Sequence, residues 1–292
     1  MIEELCRGAR WAAHPKGVHV TGAVVVGSVD LSYAGSSVPL RLQDCRLLGP
    51  LTLRGGRCST IEILDCEVDG AVDACFLSAD HVVLSRSLIN GLVLFSGATI
   101  TSNLELQGTT ITASDDGHSF DAEWSQIGSS LVLDSLHTMG RMKLRGASIQ
   151  GHLILNDAAI TGTDHHRNAL VAEDLVVRGG FFMDRLAAAG AIRVVGAIVD
   201  GDFEAPDVGI TSGNVKGEAL AAYRLRVGGS AILNRLQGAG SVRLDGANIA
   251  GQLAVVGAKI TVGDTEALEP VRWNLRGARC AELADDRAAW PA

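Results

Sequence analysis

Aromatic residues are scarce: Phe, Trp and Tyr together make up 4% of the 292 residues, so a core built around large rings is not expected. The interior must instead be filled by Leu, Ile, Val and Ala, for which a hydrophobic content of 47% is ample. Long apolar runs are missing as well; no stretch reaches the roughly 18 residues of a membrane-spanning helix. The six cysteines form no CxxC pair, and Met1 leads into Glu3 and Glu4 rather than into a basic and then apolar leader. A reduced cytoplasmic setting follows, with Cys serving as a small buried apolar side chain. There is no surplus of positive charge either. The net charge of −8 argues against direct nucleic-acid binding through phosphates.

The motifs that usually carry chemistry are also absent. Gly22 to Ser28 has the glycine spacing of a phosphate loop but no lysine, and Gly238-Ala239-Gly240 lacks the third glycine of a dinucleotide fingerprint. HExxH and GxSxG do not occur. Gly179-Gly180 is followed by Phe181, not by the rest of a calcium-binding nonapeptide.

What the chain does have is repetition. Ile-Thr opens four segments, at Ile111, Ile160, Ile210 and Ile260, which sets a long period of roughly 50 residues. A second shared pattern follows each, clearest at Leu170, Ala172, Leu175, Val177 and at Leu220, Ala222, Leu225, Val227. Within this long period lies a unit of form apolar-x-apolar-x-x-small-x-apolar. Examples are Leu40, Leu42, Cys45, Leu47; Ile61, Ile63, Cys66, Val68; and Leu253, Val255, Ala258, Ile260. Neighbouring units follow one another at a step of roughly 10–12 residues, a fine internal period. Alternation over a few residues marks a half-buried strand, and the recurrent Gly disfavours helix. The step is too fine for the hairpins of a propeller blade, and the asparagine of a leucine-rich repeat is missing. Short strands at near-constant spacing stack most simply as a parallel solenoid. The reading is therefore all-β: a parallel β-helix with roughly 20–25 residues per coil, two units to the coil. With strands about 4.8 Å apart, some eleven coils make a rod on the order of 50 Å long. Cys45 and Cys66, in equivalent places one coil apart, are expected to stack.

Taken in order, residues 1–16 lack strand alternation and carry Ile2, Leu5, Ala9 and Trp11 near helical spacing, with Pro15 to end a helix. They read as a short N-terminal helical cap for the exposed end of the stack. Residues 17–280 read as the solenoid and 281–292 as a C-terminal tail or cap, with Leu283 and Trp290 able to fold over the last coil. From 111 onward the coils carry longer polar loops, at 112–118, 161–168, 211–217 and 261–270. Their common period sets them on one edge as a stacked ridge, and loops on a rigid scaffold are where binding resides.

One constellation suggests a metal. Asp164, His165 and His166 lie in one loop, and Asp115, Asp116 and His118 in the equivalent loop a period earlier. The ligand types suit zinc, but loops two coils apart are too distant unless they fold together, and solvated loop tips are the plainer account. Asp200, Asp202 and Glu204 could likewise be paired carboxylates, or a simple solvent-facing alternation.

The stretch GEALAAYRLRVGGSAILNRLQGAGSVRLDGANIAGQLAVVGAKIT resembles a repeat of large actinobacterial proteins labelled membrane-associated oxidoreductase, whose units resemble GDALNADGLRVGGDVFL and GEVRLLGARIGGQL. GSVDLSYAGSSVPLRLQDCRLLGPLTLRG and LADDRAAWP resemble the beginning and end of their repeats, so the likeness covers residues 17–290. It implies a pentapeptide-like right-handed β-helix. The label implies redox chemistry, yet these repeats hold no cofactor fingerprint, so no cofactor is expected. Family members continue into a helical, membrane-associated region that is not expected within residues 1–292; any membrane association is expected to need that region.

Three functions fit these observations. The first is a non-enzymatic scaffold that binds a protein partner through a flat face or the loop ridge, or that self-associates through a solenoid end. The second is an enzyme or small-ligand-binding protein with a groove beside loops 112–129 and 161–173. The third is an acidic rod that imitates nucleic acid, against which stand the interspersed Arg41, Arg46, Arg54, Arg57 and Arg86.

Overall fold

The computed structural model describes residues 17–35, 39–114, 116–261 and 273–286. Among them there is no helix, and every strand pairing is parallel. The chain winds as a right-handed parallel β-solenoid with four sides. Side one stacks strands from Val18–Thr21 through Leu104–Glu105 to Glu282–Ala284. Side two runs from Val24–Val26 to Lys259–Thr261, and side three from Val29–Asp30 to Trp273–Asn274, each an eleven-stranded sheet. Side four includes Thr99–Ile100, Gln126–Ile127 and Asn248–Ile249, and merges with side one where Arg57–Leu64 and Ser78–Val83 run through the corner. The helical cap expected over 1–16, the loop over 262–270 and Trp290 lie outside the described residues. Stacking continues to Ala284, past the boundary expected at 280.

Coil length takes two values. Val18 pairs with Leu40, Leu40 with Ile61 and Ile61 with Val82, so each early coil advances the chain by 21 or 22 positions. From Leu104 the partners are Leu131, Leu153, Phe181, Phe203, Ala231 and Leu253, so advances of 27 or 28 positions alternate with advances of 22. The short coils match the sequence reading, and the long ones exceed it. The extra residues all fall at the corner between sides two and three. There 112–117, 161–167 and 211–217 separate strands that one to three residues join in the short coils. One short and one long coil together make up the long period of the sequence.

Alternation decides what points inward. Leu40, Leu42 and Leu47 are at most 2% exposed, and Cys45 at the corner is 3% exposed. The few phenylalanines that are buried stack on one another: Phe95 on Phe120, and Phe181 edge-on to Phe203 with centroids 5.3 Å apart. The small residue of each unit follows a left-handed residue, for example Asp44 before Cys45 and Trp124 before Ser125. That conformation costs a non-glycine residue about 1–2 kcal/mol. At the corner between sides three and four the aromatic residues Tyr33, Phe76 and Trp124 hold it, each lying against the left-handed glycine of the following coil.

Side chains join coils where the backbone ladder lapses. Cys45 N–H donates to Cys66 Sγ (3.3 Å), Cys66 N–H to Ser87 Oγ (3.1 Å) and Ser87 N–H to Thr109 Oγ1 (3.4 Å). The expected stacking of Cys45 on Cys66 is thus present, and it satisfies buried donors that would otherwise be costly. On another edge Ser130 N–H donates to Asn103 Oδ1, His152 N–H to Ser130 Oγ and Gly180 N–H to His152 Nδ1.

Candidate functional site

The loops at the corner of sides two and three share one turn. In each, a polar residue closes a five-residue turn with the backbone, one long period from its equivalent: Ser114, Asp164 and Asn214. Asp164 N–H donates to Asn168 O, and Asp164 Oδ1 accepts from His166 N–H (2.8 Å) and Asn168 N–H (2.9 Å). Asn214 repeats this with Glu218 O, Lys216 N–H (2.8 Å) and Glu218 N–H (3.1 Å). Ser114 does the same more simply, with its hydroxyl accepting from His118 N–H. A left-handed residue sits at the fourth place of all three: Gly117, Arg167 and Gly217. The ridge is therefore a built structure, as local side-chain capping predicts. The second and third loops also meet across the intervening coil, where Val215 N–H donates to His166 O (3.0 Å).

Below these two loops, side three forms a groove of about 510 Å³. Its lining includes Arg141, Lys143 and Arg193 from the strands, Arg145 from the turn after Lys143, and His165, His166, Asn214, Val215 and Lys216 from the loops. The groove expected beside 112–129 and 161–173 is thus displaced by one loop. Glu123 and six of the residues from Asp164 to Glu173 contribute to it, the first loop does not, and the third does.

The charged floor is a chain of ion pairs running along the rod. Lys143 lies between Asp121 (3.6 Å) and Glu123 (3.5 Å), and Arg145 between Glu123 (3.9 Å) and Glu173 (3.0 Å). Arg193 joins Glu173 (2.7 Å) to Glu218 (3.6 Å). Glu218, its side chain 3% exposed, also accepts from Asn214 Nδ2 and from the Tyr223 hydroxyl. Partners alternate in sign at single-coil steps because side chains at equivalent places in successive coils are stacked one strand spacing apart.

Arg141 spans the first and second loops. Its Nη1 donates to Asp164 Oδ2 (2.9 Å), its Nη2 donates to the His118 imidazole, and its Nε is buried without a partner. Burial, then the Arg141 and Lys143 charges, hold the His118 imidazolium pKa below its ordinary value. Burial alone would raise the Asp164 carboxyl, but the hydrogen bonds from Asn168, His166 and Arg141 together outweigh it and hold it low.

Of the six residues singled out as metal ligands, the five described ones do not gather. Asp115 lies outside the described residues and Asp116 is an exposed loop residue. His118 and Asp164 are brought close, but by an arginine standing between them, and a cation in that place opposes a second one. His165 and His166 stack on each other with ring centroids 3.8 Å apart. Among the described residues no three His, Cys, Asp or Glu side chains are placed to hold a metal ion. Asp200, Asp202 and Glu204 lie outside the groove. Asp200 pairs with Arg178, and Asp202 accepts from Ser230 N–H.

Sequence reasoning missed the groove floor. Its signal was present in the outward places of four successive units, Asp121, Lys143, Val171 and Arg193, and two residues on at Glu123, Arg145 and Glu173. Reading it requires aligning coils of unequal length.

No family model matches the chain, and neither a curated protein nor a solved structure matches it. No helix among the described residues is long and apolar enough to cross a membrane.

Proposed function

We propose that this protein is a non-enzymatic binding scaffold that recognises a partner through side three and the loop ridge above it. The observation that carries the reading is the cross-coil bond from Val215 N–H to His166 O, which ties two loops into one rigid wall over the groove. A wall held by the backbone keeps its shape without a partner, which lowers the ordering cost of binding. Chemistry finds little to work with in the same place. The groove lining holds no hydroxyl or thiol, so it offers no Ser, Thr or Cys nucleophile. Its carboxylates Glu123, Asp164 and Glu173 are each engaged by a cation.

The nucleic-acid-mimicking alternative has less support. In the N-terminal coils Arg41 pairs with Glu62, Arg46 with Glu67 and Asp69, Arg54 with Asp73, and Arg86 with Asp65, so the carboxylates there are neutralised where they stand.

A photo-crosslinking residue placed at the exposed Val215 tests the proposal against one placed at Gln150, on the opposite part of the surface. Covalent adducts in the native host are expected from position 215 and not from position 150. Equal labelling from both, or none from 215, refutes it.

A further inference from the structure

The groove lining is unevenly charged for a chain that is acidic overall. Five Lys and Arg side chains and two imidazoles line it, against three carboxylates, in a protein whose net charge is −8. Depth sharpens the imbalance. The Asp164 side chain is 6% exposed and those of Glu123 and Glu173 are 20% exposed, whereas Arg145 is 46% exposed and Lys216, His165 and His166 are open to solvent. At the mouth an approaching solute therefore meets Arg145, Lys216 and the two imidazoles, while the side chains of Arg141, Lys143 and Arg193, 13%, 21% and 19% exposed, lie about as deep as Glu123 and Glu173. Clefts lined in this way concentrate anions.

We infer that the groove is a binding site for a small organic polyanion carrying two phosphoryl or carboxylate groups. The inference rests on the reading of side three as the recognition face. The volume lies within the range of about 300–1,000 Å³ typical of small-ligand sites. Two anionic groups are implied because the cations come in two rows. Arg141, Lys143 and Arg145 share one coil, and Arg193 lies two coils on, past Val171, a step of roughly 10 Å. The half-exposed Arg145 guanidinium suits a planar oxyanion, Arg193 adds positive charge while its Nε and Nη2 donate to Glu173, and Lys216 adds a charge that has no carboxylate partner among the described residues. Val171 in the floor and Val215 on the wall give a carbon skeleton something to rest on, which a bare inorganic ion would not use.

Calorimetry at low ionic strength tests this with inorganic pyrophosphate and with citrate as the two anion chemistries, and with a neutral disaccharide and matched chloride as controls. Binding in the sub-millimolar range is expected for at least one anion and for neither control. Pyrophosphate alone identifies a phosphoryl ligand, and citrate alone a carboxylate ligand. Lys216→Glu should weaken binding by about tenfold or more, whereas Lys259→Glu, on side two, should leave it within about twofold. Circular dichroism confirms that both variants are folded. No heat from either anion at about 10 mM, or equal loss in both variants, overturns the inference. Position-specific crosslinking at 215 without anion binding would leave the partner reading in place and remove only this one.

Discussion

Replacing Arg141 by Met removes one guanidinium from between two loops. In the native chain it donates to Asp164 at 2.9 Å and to the His118 ring. The Asp164 side chain is 6% exposed, so its charge has little water to fall back on. Removing one partner of a buried pair costs about 3–5 kcal/mol. Asp164 keeps the hydrogen bonds from His166 N–H, Asn168 N–H and Asn168 Nδ2, so the low end, about 3 kcal/mol, is expected. The repeat supplies its own control. Asn214 occupies the same turn position with the same backbone bonds, and Ala191 stands where Arg141 stands one period earlier. Asp164→Asn should therefore be accommodated by the turn, and the double variant Arg141→Met with Asp164→Asn should recover to within about 1 kcal/mol of the parent. Urea denaturation of all four members of the cycle, followed by circular dichroism, measures this. If the double variant is as unstable as Arg141→Met alone, the unpaired charge is not the cause and the electrostatic argument fails. The pH dependence has a definite sign. The Asp164 pKa is lowered by folding, so its contribution is present above the ordinary aspartate range and is lost as pH falls through the folded value. The gap between parent and Arg141→Met should therefore narrow on acidification.

Two further outcomes are expected. A Cβ at Gly146 would lie 2.3 Å from the Trp124 ring in a left-handed conformation, whereas one at Gly217, also left-handed, would meet nothing within 4 Å. Gly217→Ala should cost about 1 kcal/mol and Gly146→Ala clearly more, with a shift in tryptophan emission marking the displaced ring. Burial pushes the Cys66 thiol up to about 11, while Cys280 is exposed. Iodoacetamide near pH 8 should alkylate Cys280 well before Cys66, and mass spectrometry of the peptides would show the reverse order if the stacked thiols were open.

Much of the fold was legible because one physical signal is repeated. Leu40, Leu42, Cys45 and Leu47 alternate in sequence and all face inward, and the same reading places Leu253, Val255, Ala258 and Ile260. The ridge was legible for the same reason, since its polar loops recur at a fixed interval. The site was less so. Lys143, Arg145, Glu173 and Arg193 look like any solvent-facing residues until the coils are set in register, and the alternation of short and long coils hides that register. The contact between two of the candidate ligands and an arginine was not legible. Arg141 lies 23 residues from both His118 and Asp164, and no local pattern announces that it comes between them.

The turn that closes each loop begins and ends on the backbone of the stack, so the interval from one loop to its successor is set by strand spacing and not by loop sequence. A loop can therefore be rewritten, from Asp-His-His-Arg-Asn to Asn-Val-Lys-Gly-Glu, without altering where it stands. The molecule behaves as a rack with slots at a constant pitch, in which the chemistry of each slot varies independently of its position.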